Sequence, residues 1–457
     1  MASVETIYLN PAFDASNFKT EFHIPRDKVY SPSIRLCGVG LVSTAANAQC
    51  NRLVGSQGVI RNIILTDKGT EIDSCKRCNV LEGFKSLNFG GPRDQSFEAQ
   101  KTRNTLLGFD HTIERFGNGG ADGSGETSLM RDSIGANGNR KETTKERRNE
   151  IAANGVERTG DSYILLHDYL PVLAQMAALP TNVFDDLKLT IEYETTLSKC
   201  LATSLKVPHT TLAPVLVMDQ INDVDMAQNA LKQLQSFMWN TYEHDMFVVQ
   251  AADGTQAATG TRQTTSARLN GFKNKTIGKM LLVKQLQNQS DGDVVDGTTA
   301  LGYGNMGSVA CFDEQLQVRV NGANAMPGQG ITKPNEALAL MADTFGQITM
   351  SPFGHAYNGS NYSVTLTDMQ TEKVMENGSR KTGRLSYFGL PIHEKVTDMQ
   401  IIYSRVQLLN EDPGTKLGGI PPGSGWSSTK PLNVHCFCEV AKSITFQAGG
   451  QYVIAYV

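Results

Sequence analysis

Leu179-Pro180-Thr181-Asn182-Val183-Phe184-Asp185-Asp186-Leu187-Lys188-Leu189-Thr190-Ile191-Glu192-Tyr193-Glu194 is the stretch that decides the fold. From Leu187 onward apolar and polar residues alternate without a break, which is the two-residue period of a strand. Leu187, Leu189, Ile191 and Tyr193 fall on one face, and Lys188, Thr190, Glu192 and Glu194 on the other. The segment therefore predicts a sheet with one buried and one solvated face. A related phrase returns in the second half: Leu390-Pro391-Ile392, then Val396-Thr397-Asp398-Met399-Gln400-Ile401-Ile402-Tyr403-Ser404-Arg405. Both phrases pass from Leu-Pro through Val-x-Asp into a strand, which aligns Asp185 with Asp398. The separation is close to half the chain and predicts two similar β domains in tandem.

At 457 residues the chain is too long for one ordinary core, and two large domains suit that length. Charged residues make up 19%, below the roughly 25% of an average soluble protein. With 43 glycines and many Asn, Thr, Ser and Gln, the composition suits sheets joined by polar loops. A formal charge of −4 and a pI near 6.1 exclude a global positive field that would hold nucleic acid by counterion release. No run of 18 apolar residues occurs, so no transmembrane segment is expected, and the first residues lack the pattern of a signal peptide. The expectation is a protein made in the cytosol, where its eight cysteines stay reduced. Asn-x-Ser/Thr matches such as Asn274-Lys275-Thr276 then carry no glycosylation.

Outward from the opening stretch, strands are predicted at 34–43, 59–65, 70–73, 163–169, 212–221, 245–250, 279–286, 314–320, 363–367, 398–408, 433–441 and 452–457. Thr66-Asp67-Lys68-Gly69 and Asn321-Gly322 read as hairpin turns, with glycine supplying a positive φ. Short helices are predicted at 94–107, 223–235 and 335–345, and the Gly-, Asn- and Asp-rich 117–138 as a surface loop. About eight strands per half with few helices define an all-β chain of two antiparallel sandwiches. The mixed segment 200–209 marks the passage between them, dividing the chain into 1–210 and 211–457.

These phrases, in this order, resemble the double jelly-roll major capsid proteins of double-stranded DNA viruses, the lineage of polinton-like viruses, virophages and nucleocytoplasmic large DNA viruses. The resemblance rests on Leu179 to Glu194; on Val215-Leu216-Val217-Met218-Asp219-Gln220; on Glu243-His244-Asp245-Met246-Phe247-Val248; and on Phe312-Asp313-Glu314-Gln315-Leu316-Gln317-Val318-Arg319-Val320-Asn321-Gly322. It covers most of the chain, and each phrase alone is short. It implies two tandem jelly rolls and a homotrimer that looks six-sided, because three chains of two similar wedges make six. It further implies an icosahedral shell, penton and minor capsid proteins as partners, and residence in the virion. The excursion 117–149 is then the candidate for an outward tower or a trimer-locking arm.

No catalytic, cofactor-binding or metal-ligating residue is expected. Cys75-Lys76-Arg77-Cys78 has no second Cys-x2-Cys at zinc spacing, and Cys436-Phe437-Cys438 has the wrong gap. Asp185 with Asp186, and Glu192 with Glu194, are the pairs a glycosidase would need, but Glu192 and Glu194 read as a solvated strand face. The eight histidines form no His-x3-His, and neither Gly-x-Ser-x-Gly nor a phosphate loop occurs. The basic stretch Arg140 to Arg148 carries Glu142 and Glu146 and no aromatic residue, so strong nucleic-acid binding is not expected. A carbohydrate-binding or carbohydrate-active double β-sandwich is the alternative function; it asks for exposed aromatic platforms, and the chain has only Trp239 and Trp426.

Overall fold

Leu187–Tyr193 is a strand whose alternate residues are buried, and Leu189 and Ile191 are wholly so. Burying such a side chain is worth about 1.5–3 kcal/mol relative to leaving it in water. This fixes the strand's face, because a slip of one residue would turn the apolar set outward. In a computed structural model, residues 4–15, 18–38, 41–43, 59–88, 163–194, 209–211, 214–223, 225, 228–229, 236–250, 262–286, 314–326, 330–331, 334–345, 388–406, 431–447 and 451–457 are described. The predicted helix 94–107, the loop 117–149, the strand 363–367 and most of the helix 223–235 lie outside them.

The first unit runs through β1 (Val4–Leu9), β2 (Phe13–Ala15), β3 (Lys19–His23), β4 (Val29–Tyr30), β5 (Arg35–Cys37), β6 (Leu41–Ser43), β7 (Ile60–Asp67) and β8 (Thr70–Lys76). Helix α1 (Cys78–Asn88), β9 (Tyr163–Leu165), the short helix α2 (Pro171–Gln175), β10 (Leu179–Pro180), β11 (Leu187–Tyr193), β12 (His209–Thr211) and β13 (Val215–Ile221) complete it. One sheet orders β2-β3-β11-β7-β8, and the other β10-β4-β13-β5-β9 with β1 on β13. Strands β6 and β12 form a separate pair.

The second unit contains β14 (Ser236–Val249), β15 (Arg262–Arg268), β16 (Lys275–Leu286), β17 (Gln315–Val320), β18 (Ala323–Asn324), helix α3 (Pro334–Phe345), β19 (Phe388–Val396), β20 (Met399–Val406), β21 (Leu432–Phe446) and β22 (Tyr452–Tyr456). Its sheets order β15-β20-β17-β18 and β14-β21-β16-β19, with β22 on β21. The strands common to the two units repeat in the same order, while β2, β6, β9 and β12 of the first and β22 of the second have no counterpart. β3-β11-β7-β8 corresponds to β15-β20-β17-β18, and β1, β13, β4 with β5, and β10 correspond to β14, β21, β16 and β19. Two four-stranded antiparallel sheets connected in this way are a jelly roll, so the chain is a double jelly roll.

Two details differ from the sequence reading. A division at 210/211 would cut β13 away from β1, β4 and β5, to which it is hydrogen-bonded. The sheets change over between Ile221 and Ser236. The repeat is also displaced by one residue: β11 starts opposite Asp67 at Leu187 and β20 starts opposite Val320 at Met399. Leu187 therefore matches Met399, and Asp186, not Asp185, matches Asp398. Aligning the Val-x-Asp phrases would have set an inward residue against an outward one.

The β7–β8 hairpin of the first unit and the β17–β18 hairpin of the second are built alike. Lys68 and Gly69 have φ of 47° and 80°, and Asn321 and Gly322 have 52° and 81°, the paired positive values of a two-residue hairpin turn. The backbone N–H of Lys68 donates to Asp186 O at 3.4 Å, and that of Asn321 to Asp398 O at 2.8 Å. Side chains then hold the facing corner. Asp67 Oδ1 accepts from the N–H of Asp185 (3.0 Å) and Asp186 (2.6 Å). Asn321 Oδ1 accepts from the N–H of Thr397 (2.7 Å) and Asp398 (3.3 Å).

Candidate functional site: the seam and the open edges

The features that set this molecule apart from two separate sandwiches lie where the units meet. β14 and β21 pair in register from Ser236–Thr445 to Val249–Leu432. Their inner halves close the second unit's core through Phe247, Val249, Leu432 and Val434. The outer half of β14 runs on against β8 and α2 of the first unit. Trp239, Phe437 and Ile444, with Leu281, Val283 and Met341, are consequently buried in one cluster with the first unit's core. Aromatic edges cross the seam: Phe84 meets Phe345 at 5.2 Å, and Phe184 meets Tyr452 at 5.6 Å and Phe446 at 6.0 Å between centroids.

Three polar groupings sit in this apolar seam. Asp73, fully buried on β8, accepts from the N–H of Ser74 (3.0 Å) and Val172 (3.1 Å), and Thr241 and Lys442 approach it from the second unit. Burial raises its pKa above the ordinary carboxylate value, and the Lys442 charge and these hydrogen bonds offset the rise only in part. Lys442 also lies 3.3 Å from Glu243, which accepts from Lys275 and from the Tyr456 hydroxyl at 2.6 Å. Burial alone would raise Glu243, but these donors and cations hold it below the usual carboxylate value.

The third grouping is a pair of imidazoles. His244 Nε2 and His435 Nδ1 lie 2.9 Å apart, with His244 also 5.0 Å from the Phe437 ring. Burial first, then the charges of Arg77, Lys76 and Arg61 from the first unit, push the His244 pKa down to about 3.

Several strands end a sheet. Among the described residues β1 is bonded only to β13, and β22 only to β21. Val4 and Tyr8 on β1 and Val453, Tyr456 and Val457 on and just after β22 are exposed apolar residues, as are Phe13 on β2, Phe18 just before β3 and Met238 on β14. Open, apolar-bearing edges are what a partner strand or surface covers.

The residues weighed for chemistry are dispersed. Cys75 and Cys78 are buried, with Cys78 Sγ donating to Cys75 O at 2.9 Å, and the Cys436 and Cys438 sulfurs lie 3.8 Å apart in the second core. Asp185 pairs with Lys68 at 2.5 Å and Arg26 at 3.2 Å, and Asp186 with Lys188 at 2.7 Å. Glu194 is not on a solvated face as its alternation implied. It is 2% exposed and accepts from Asn79 at 2.9 Å and Arg77 at 3.4 Å, residues at the junction of β8 and α1 that cover the end of β11. Among the described residues no three His, Cys, Asp or Glu side chains form a metal-binding group, and no helix is long and apolar enough to cross a membrane. The basic stretch 140–148 lies outside the described residues.

The architecture defines a class before any comparison: double jelly-roll proteins. Solved structures share it. PBCV-1 VP54, fitted into a cryo-EM reconstruction of the virophage Sputnik, is 10% identical with a TM-score of 0.50, covering 100% of this chain and 97% of that one. The Sputnik virophage structure determined by cryo-EM is 7% identical with a TM-score of 0.51, covering 99% of this chain and 88% of that one. The mavirus major capsid protein is 9% identical with a TM-score of 0.48, over 99% and 90% of the two chains. No protein-family model and no curated protein matches. Similarity at this identity is similarity of fold, and both jelly rolls are included in it.

Proposed function

We propose that this protein is a viral major capsid protein, which trimerises into a pseudo-hexameric capsomer and assembles into an icosahedral shell in the virion. The observation that carries the reading is the repetition of one jelly roll within a single chain, joined by a continuous seam. Three such chains around a threefold axis present six similar wedges, so duplication within the chain solves a tiling problem. The same fold in PBCV-1 VP54 and in the Sputnik virophage structure supports this. Its mechanism is burial and not catalysis: the open edges at β1 and β22 supply apolar surface for neighbours, and many weak lateral contacts accumulate around a closed shell. Further copies of the chain are its main partners, with penton and minor capsid proteins at the shell's special positions. The two units divide, on this reading, after β13.

A carbohydrate-recognising sandwich would need an aromatic platform; Trp239 is only 2% exposed in the seam, and Trp426 lies outside the described residues. Sedimentation of the purified full chain, followed by electron microscopy, tests the proposal. A species of three times the 49.7 kDa chain mass, with hexagonal outline, is expected. A monomer at all concentrations, with no particles, overturns it.

A further inference from the structure

The imidazole pair in the seam has no part in holding a shell together, yet its surroundings are particular. His244 on β14 and His435 on β21 point to the same face as Phe437, with Leu281 and Val283 of β16 on that face beside them. His435 is fully buried. An N–H···N hydrogen bond at 2.9 Å requires one ring nitrogen to donate and the other to accept. With both rings neutral the bond is made and no charge is buried. A first added proton creates a buried cation, and a second leaves two donors facing each other.

The charges around the pair make either event worse. From the first unit, Arg61 on β7, Lys76 at the end of β8 and Arg77 after it all act on His244 as cations. The anions nearby are already engaged: Glu194 with Arg77 at 3.4 Å, Glu71 with Lys76 at 3.5 Å, and Glu439 on β21 with Lys279 of β16 at 3.0 Å. Tyr242, on the same face of β14, hydrogen-bonds to Glu439 as well. Glu243 and Asp245 alternate to the other face of β14.

We propose that the His244–His435 pair makes the seam between the two jelly rolls acid-labile, closed while both rings are neutral and driven open when protons become available to rings that have reached water. The sign follows from linkage. The closed seam holds His244 well below its ordinary value of 6.5, so the open state binds more protons between the two values. Stability contributed by the closed pair is complete above about pH 6.5 and is lost progressively as the pH falls towards 3. The two strands carrying the rings also close both cores, so opening is felt in each unit.

Hydrogen exchange on the purified full chain tests this, with opening constants corrected for the intrinsic pH dependence of amide exchange. For His244 alone the opening constant of seam amides in β14 and β21 is expected to rise about thirty-fold between pH 7.5 and pH 5. In His244→Gln, which keeps a polar side chain but cannot titrate, that rise is expected to shrink by about the same factor. Equal rises in the wild type and the variant overturn the proposal. If the variant does not fold, exchange of the imidazole C2 proton in the wild type decides. A His244 midpoint below pH 5 supports a closed neutral pair, and a midpoint near 6.5 in the intact protein overturns it.

Discussion

The hydroxyl of Tyr452, in the last strand, donates to Asp67 Oδ2 at 2.9 Å across 385 residues of chain. Asp67 uses its other oxygen to hold the corner before β11. One carboxylate thus joins the hairpin of the first jelly roll, its opening-phrase strand and the terminal strand of the second. The tyrosine ring meanwhile packs edge-on against Phe184. Tyr452→Phe keeps the ring and removes the hydroxyl, so it is expected to cost about 1 kcal/mol, while Tyr452→Ala also loses the packing and costs about 3. Denaturant midpoints of the two variants check the order.

The two hairpins make a paired comparison. Asp67→Ala leaves two N–H groups at Asp185 and Asp186 without their acceptor, and Asn321→Ala does the same at Thr397 and Asp398. Asp67→Ala is expected to cost about 1–3 kcal/mol, and Asn321→Ala, whose contacts are open to water, about 0.5–1.5. Asp67 is 3% exposed and also receives Tyr452, whereas Asn321 is exposed, so the first variant should be the more damaging. Thermal unfolding of both, at equal concentration, reads the difference.

Inside the second jelly roll Glu314 accepts from both Lys284 and Tyr403, and all three are buried. Removing one charge strands the other. Lys284→Met alone is expected to destabilise by about 3–5 kcal/mol, while Lys284→Met with Glu314→Leu recovers most of that loss. A double-mutant cycle on unfolding midpoints gives the coupling, and additive losses would refute it.

Gly389 on β19 lets α3 lie close. A Cβ placed there would come within 2.6 Å of the Phe345 ring and 2.9 Å of the Met341 sulfur. Gly389→Ala must push α3 outward, and with it the contact of Phe345 with Phe84 in the first unit. An expected loss of about 1–3 kcal/mol, relieved in part by Met341→Ala in the same chain, distinguishes this crowding from a backbone effect.

What the sequence revealed followed from how each element is buried. β11 and β20 are packed inward on one face, so their alternation was plain. β14 mixes polar and apolar residues in its inward row, where Thr241, Glu243 and Asp245 stand between Trp239, Phe247 and Val249, and this blurs the two-residue period; only its last residues, Asp245 to Val249, read as strand. β15, with the sequence RQTTSAR on a sheet edge, has too little apolar content to announce itself. Helix α1 carries no start signal, because Arg77 ahead of Cys78 is not a capping residue, no acidic side chain lies in the first turn, and the break from strand to helix is made by Arg77 itself with φ of 55°. The seam was invisible altogether. Its partners, such as His244 and His435 or Asp73 and Lys442, are set by the docking of two folded units, and no local pattern encodes that.

The β14–β21 ladder runs unbroken through both cores, and at about 3.4 Å per residue a 14-residue strand measures roughly 48 Å. Such a ribbon behaves as a beam. A load applied to one jelly roll passes along it into the other without a flexible joint to absorb it, so the chain should deform as a single stiff plate. In a closed container under internal pressure, compliance would then reside at the contacts between chains, and rupture would begin there.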